Sequence, residues 1–294
     1  MKQKLFFSIA LLILISCSKD NNIVDPIVGK YKDLKVIDVH NHDASGCKYK
    51  SSIDIWDTYS IEQIVLFGDI SEPSAVTTDN IAWNAYKENP SRFIPFFAGF
   101  NIKDSSCLKI VAENFEKGFF GIGEFVAASS NSPITSNLPW KGDHPMDGYF
   151  PQVYELCAKY KAPILLHIDP PFGYPIDKLK EALIKFPNTN FIFGHANAYN
   201  SPANIETLLK NYDNIYIDFF AGFTKYNPGS SNSLEDYVPL INKYPDKFMV
   251  STDSGYDVGY DNAYKAIYEL FDLLGDDVVE KIAHKNFEAL IRNK

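Results

Sequence analysis

The sequence predicts an α/β fold, a single-domain (β/α)8 TIM barrel, and three observations carry that expectation. Eight short runs of β-branched and aromatic residues recur along the chain. Longer amphipathic stretches separate them. Residues able to hold a metal ion stand at the C-terminal ends of five of the eight runs.

The runs, in order, cover residues 35–39, 63–67, 93–98, 121–125, 163–167, 190–194, 214–219 and 247–251. They are apolar nearly throughout instead of alternating, as strands are when a parallel sheet is buried on both faces. Helices are expected between them, over residues 108–116, 177–185 (stopped by Pro187 and Asn188), 205–209 and 264–274, with Gly or Pro near their ends. Strands alternating with helices over this length fit a barrel better than an open doubly wound sheet. That second fold often places a Gly-rich phosphate turn after its first strand, where this chain has His40-Asn41-His42. One insertion interrupts the rhythm: residues 127–148, after the fourth run, are rich in Ser, Asn, Pro and Gly. Loops this long are usually functional or mobile.

The N-terminus precedes the barrel. Lys2 and Lys4 are followed by an apolar run over residues 5–15, shorter than the ~20 residues a spanning helix needs. Leu14-Ile15-Ser16-Cys17 resembles a bacterial lipobox, in which Cys17 becomes the lipidated first residue; an ordinary cleavable secretion signal is the alternative. The expected organisation is a lipoprotein signal peptide over residues 1–17, a polar tether over 18–30 and the barrel over 31–294. The chain is then anchored to a membrane through its lipid, in the cell envelope, on the periplasmic side or the outer-membrane surface. Cys47, Cys107 and Cys157 are too far apart for a clustered Cys metal site. Cys157 lies on a helical apolar stripe and reads as a core thiol, and a Cys47–Cys107 disulfide stays open.

Composition narrows the partners. The hydrophobic fraction of 46% and charged fraction of 22% are ordinary for a globular chain. A net charge of −9, from 28 Lys+Arg against 37 Asp+Glu, argues against nucleic acid, because long polyanions require concentrated positive charge. The expected partner is a small-molecule substrate.

The residues at the strand ends carry the chemistry. In a (β/α)8 barrel the active site lies at the C-terminal mouth of the strands. His40 and His42 follow the first run, Glu124 ends the fourth, His167 ends the fifth, His195 follows the sixth and Asp253 follows the eighth. His167 and His195 are 28 residues apart (195 − 167), one βα unit, and His40 precedes Glu124 by three such units. Six ligand-type residues in register with the barrel should face one mouth. Zinc and similar ions favour imidazole nitrogen and carboxylate oxygen, and a catalytic site keeps a position for water. On a strand, residues i and i+2 share a side, so His40 and His42 can serve one ion while Asn41 faces away. Water activated by a metal is a nucleophile near pH 7, and Asp253 can accept its proton and pass it to a leaving group. Glu124 inside a buried strand needs a metal or a basic partner. His144, in the insertion, either reaches the substrate or is a solvated loop residue. Tyr199 and Tyr256, with Phe172, Tyr174, Phe220 and Phe223, either form a pocket for an apolar or ring-shaped substrate or pack the loops together. His284 sits in the last helix, away from the chemistry.

The segments 36–42, Gly121-Ile-Gly-Glu124, Leu165-Leu-His167, Phe193-Gly-His195 and Ser251-Thr-Asp253 resemble the amidohydrolase superfamily, and within it the amidohydrolase-related TIM-barrel hydrolases. The resemblance spans nearly the whole mature chain and includes a closing helix over 282–290, with Asn286 in a structural position. It implies that His40 and His42 bind a first metal, that Asp253 binds it and acts as general base, and that Glu124 bridges to a second metal held by His167 and His195. With a single ion, His167 joins His40, His42 and Asp253, and His195 polarises the substrate. The implied cofactor is a divalent metal, zinc foremost, as one or two ions. The implied activity is hydrolysis of an amide, ester, lactone or phosphoester. Two alternatives share the resemblance: a metal-dependent decarboxylase of an aromatic acid, and a TatD-like nuclease, against which the net charge counts. A binding lipoprotein that lost its chemistry is a further reading, opposed by the intact ligand set.

Overall fold

The computed structural model describes residues 26–291. Eight parallel strands follow one another around one sheet in chain order: β1 (Ile37–Asn41), β2 (Gln63–Leu66), β3 (Phe93–Phe97), β4 (Gly121–Ala128), β5 (Ile164–Ile168), β6 (Phe191–Phe193), β7 (Ile215–Phe220) and β8 (Phe248–Ser251). The helices are α1 (Pro26–Lys30), α2 (Tyr49–Thr58), α3 (Ala75–Glu88), α4 (Cys107–Lys117), α5 (Phe150–Tyr160), α6 (Tyr174–Lys185), α7 (Pro202–Leu209), α8 (Ala221–Tyr226), α9 (Leu234–Lys243), α10 (Tyr260–Asp272), α11 (Asp276–Glu280) and α12 (Asn286–Ile291). This is the expected single-domain (β/α)8 barrel, nearly closed. At the seam, the Thr252 amide and hydroxyl on the β8 side donate to Asp38 of β1 at 3.1 and 2.6 Å, and the Tyr264 hydroxyl joins them at 3.0 Å.

The apolar runs have the cause inferred for them. Every strand residue except Gln63 and Tyr216 is buried. Outside the barrel, aromatic rings fill the layer under the helices: Phe97 meets Phe115 edge-on at 5.2 Å, and Phe125 stacks on Phe100 at 4.7 Å and meets Phe150 edge-on at 5.3 Å. The closing helix is pinned to the entry of β8, where Asn286 Nδ2 donates to the carbonyls of Pro245 and Phe248, both at 2.8 Å.

The boundaries differ from expectation in instructive places. β1 runs to Asn41, two residues further, because its polar end faces the barrel mouth while its backbone stays paired; the Phe67 amide donates to the Asn41 carbonyl at 3.0 Å. β4 runs on to Ala128, and α10 begins at Tyr260. The tether expected over 18–30 gives way to α1 at Pro26, where Val28 is buried and Lys30 pairs with Asp272 at 2.5 Å. The signal peptide and Cys17 lie outside the described residues. Among those residues, no helix is long and apolar enough to cross a membrane. Cys47 and Cys107 are both thiols.

Candidate metal centre

His40 is the fourth residue of β1 and His42 the first beyond it, and strand alternation turns both imidazoles into the barrel. Their Nε2 atoms lie 3.1 Å apart. Each ring is held from behind through Nδ1, His40 by Asp218 Oδ2 at 2.6 Å and His42 by the Gly68 carbonyl at 2.8 Å. A carbonyl only accepts, so the His42 proton sits on Nδ1 and the Nε2 lone pair faces inward; a carboxylate does the same for His40. Two lone pairs this close need a positive charge between them, a proton or a metal ion. Asn41 faces the other way, donating to the Tyr260 hydroxyl at 2.9 Å, and that hydroxyl donates to Asp43 at 2.6 Å.

The opposite wall repeats the arrangement. His167 Nδ1 and His195 Nε2 are 3.1 Å apart. His167 Nε2 faces Thr135 Oγ1 at 3.3 Å and Asp169 Oδ2 at 3.5 Å, which leaves Nδ1 as its inward atom. Glu124 lies between the two histidine pairs. Its Oε1 is 2.9 Å from His195 Nε2, 3.2 Å from His167 Nδ1 and 3.7 Å from His40 Nε2, and its Oε2 is 3.7 Å from His42 Nε2. Asp253 Oδ1 stands 3.3 Å from His42 Nε2 and 3.5 Å from His40 Nε2. Two groups emerge, His40 with Glu124 and His195, and His40 with His42 and Asp253; within each, the ligand atoms all lie within 4.8 Å of one another. Nitrogen and carboxylate donors converging on two adjacent points suit zinc or a related divalent ion, so the residues present fit the metal that the resemblance implies.

Local backbone makes this possible. At Gly123 φ is +149°, and a Cβ there would lie 2.7 Å from Leu165 Cβ, so only glycine lets β4 pass β5 with Glu124 facing the centre. His195 adopts a left-handed conformation (φ 33°, ψ 43°), and its amide donates to Asp218 Oδ2 at 2.9 Å.

Burial works to lower the proton affinity of the histidines, yet the charges of Asp218, Asp253 and Glu124 raise His40 to about 10. His167 rises to about 9 against the same burial penalty, drawn up by Glu124 and Asp169. Burial likewise works to raise Glu124, but His167 and His40 hold it well below the usual carboxylate range. Asp253 is held low against burial by His40 and by its hydrogen bond with His42. The centre is a buried well of carboxylates that attracts cations.

Above it opens a cavity of about 400 Å³. His42, Glu124, His167, His195 and Asp253 line its floor; Tyr199, Phe220, Phe223 and Tyr256 line one wall, and Ile134, Thr135 and Leu138 of the insertion another. His144 lines no part of it: its Nδ1 accepts from the Met146 amide at 3.2 Å, and its ring meets Tyr174 edge-on at 5.1 Å. Phe172 and Tyr174 are exposed to solvent and also stand outside the lining. Sequence reasoning missed Asp218 and Asp169, which hold the ligand histidines. The signal was there: Asp218 is a lone charge inside the apolar run of β7, and Asp169 stands two residues past His167.

The sequence profile of the amidohydrolase family matches residues 57–292, and the chain belongs to that family. The match begins downstream of His40 and His42. No curated protein matches. Among solved structures, the chain is similar to the TatD homologue YjjV from Escherichia coli K12 (15% identity, TM-score 0.63, covering 87% of this chain and 98% of that one). It is similar to a probable 2-pyrone-4,6-dicarboxylic acid hydrolase from Acinetobacter baumannii with citric acid bound (13% identity, TM-score 0.61, 88% and 100%). It is also similar to a dihydroxybenzoic acid decarboxylase from Polaromonas sp. JS666 with bound manganese and the inhibitor 2-nitroresorcinol (14% identity, TM-score 0.57, 89% and 98%). At these identities the likeness is one of fold.

Proposed function

We propose that the chain is a metal-dependent hydrolase that cleaves an amide, ester, lactone or phosphoester bond of a small molecule. The observation that carries this reading is Glu124 standing between two pairs of inward-facing imidazoles, with Asp253 at the cavity floor beside the first pair. His40 and His42 would hold one divalent ion with Asp253, His167 and His195 a second, and Glu124 would reach both; zinc fits the donor set. When bound, the ions supply Lewis acidity and a water nucleophile at neutral pH. Asp253, held low by its histidine neighbours, would be the proton acceptor at the floor of the site and the group that returns a proton to the leaving group. Tyr199 and Tyr256 border the space above the floor in which a substrate would sit. The fold alone supports the decarboxylase alternative. Export as a lipoprotein through Cys17 belongs to the same proposal, supported by the basic, apolar and cysteine elements of residues 1–17.

The test is to purify the protein, count its metal ions, and assay amides, esters, lactones and phosphoesters with and without chelator. Bound metal, activity abolished by chelator, and a loss of about 10²–10⁴-fold in kcat for Asp253→Asn are expected. A metal-free protein whose activity ignores both treatments would sink the proposal, and carbon dioxide released from an aromatic acid would replace it with the lyase.

A further inference from the structure

We propose that Asp218 is the positioning residue that ties the two halves of the metal centre together. It is fully buried within β7, and one oxygen does two jobs. Asp218 Oδ2 accepts from His40 Nδ1 at 2.6 Å and from the His195 backbone amide at 2.9 Å. The first bond fixes the tautomer that turns His40 Nε2 toward the metal position. The second holds His195 in the left-handed conformation that carries its Nε2 to Glu124. His40 and His195 belong to opposite histidine pairs, so a shift of this carboxylate moves a ligand on each side at once. The other oxygen, Oδ1, is buried with no hydrogen-bond partner among the described residues. The carboxylate is therefore committed through Oδ2, and its charge stands directly behind His40. Outer partners of metal-binding histidines set ring orientation and ligand basicity, and their loss typically costs about 10–100-fold in metal affinity.

Asp218→Asn and Asp218→Ala separate charge from geometry. The amide oxygen of Asn can take the place of Oδ2 and accept both hydrogen bonds, while its NH2 falls where Oδ1 has no partner. The inference rests on the metal-centre reading, so wild type is measured alongside. Each full-length protein is stripped with chelator and titrated with zinc and with manganese, and affinity and stoichiometry are read by calorimetry and elemental analysis. Nitrogen chemical shifts of the imidazoles report the His40 tautomer. Asp218→Ala is expected to weaken binding at both positions by about 10–100-fold and to release the Nδ1–H tautomer of His40. Asp218→Asn is expected to keep that tautomer and the stoichiometry and to lose affinity by a smaller factor, which also covers the case in which the Ala variant fails to fold. Unchanged affinity in both variants, or a loss confined to one position, overturns the coupling while leaving the hydrolase reading intact. A wild-type protein that binds no divalent ion overturns both.

Discussion

Replacing Asp169 by Asn tests how the insertion after β4 is held over the centre. The Asp169 carboxylate is buried just past β5 and receives the first turn of the insertion on both oxygens. Oδ1 accepts from the Ser130 and Asn131 amides at 2.8 and 3.1 Å, and Oδ2 accepts from the Ser132 amide at 3.0 Å and the Ser129 hydroxyl at 2.5 Å. Burial works to raise this carboxyl, yet His167, Ser129 and the backbone amides hold it far below its ordinary value. An Asn side chain has one acceptor oxygen, so in either orientation its NH2 faces backbone N–H groups. With the NH2 at the Oδ1 position, two hydrogen bonds are lost at about 1.5–3 kcal/mol each for a charged acceptor, or about 3 kcal/mol at the least. With the NH2 at the Oδ2 position, the Ser132 amide loses its acceptor and His167 Nε2 loses its carboxylate. Local opening of residues 129–138 should then rise by about 100-fold, at about 1.4 kcal/mol per factor of ten. Amide hydrogen exchange reads this directly at Ser130, Asn131 and Ser132, and the KM of any substrate seated against Ile134, Thr135 and Leu138 should rise with it. Unchanged protection of those three amides would refute the reasoning, because it would mean that the insertion is held by contacts other than this carboxylate.

Two further expectations concern the scaffold. Burial pushes the Asp79 carboxyl up to about 7, against hydrogen bonds from the Ala98 and Gly99 amides at 3.0 and 2.8 Å. The folded chain holds that proton more tightly than the unfolded chain, so the stability it contributes is complete below about pH 4 and is lost as pH rises to about 7, by up to about 4 kcal/mol. Denaturant titrations across that window should show the decline, and Asp79→Asn should flatten it. Gly123→Ala should destabilise the fold by about 1–3 kcal/mol, because the new methyl meets Leu165 and the left-handed φ is strained. Thermal unfolding checks the cost, and a lower metal content would show that the shift reaches Glu124.

The strands and the inward-facing ligands could be read from the sequence because both follow a period. Burial on two faces makes a parallel strand uniformly apolar, so His167 or Asp253 at the end of such a run stands out, and the βα repeat says that such residues share a mouth. Asp169 and Asp218 also stand at noticeable positions, two residues past His167 and alone within β7, but position does not say which group each one holds. Each acts through contacts across the barrel: Asp218 joins β1 to the turn after β6, and Asp169 joins β5 to an insertion of irregular backbone. The same limit explains His144, whose place in the insertion left open either a reach to the substrate or a solvated loop position, and whose ring meets Tyr174. It also explains the aromatics, of which Tyr199, Phe220, Phe223 and Tyr256 reach the cavity while Phe172 and Tyr174 do not. Sequence spacing locates a residue along a strand, but loop direction is decided by hydrogen bonds that close in space. The carboxylates missed in the sequence are the ones that aim the ligands, because a metal centre requires each imidazole to present a particular nitrogen, and that choice is made by whatever stands behind the ring.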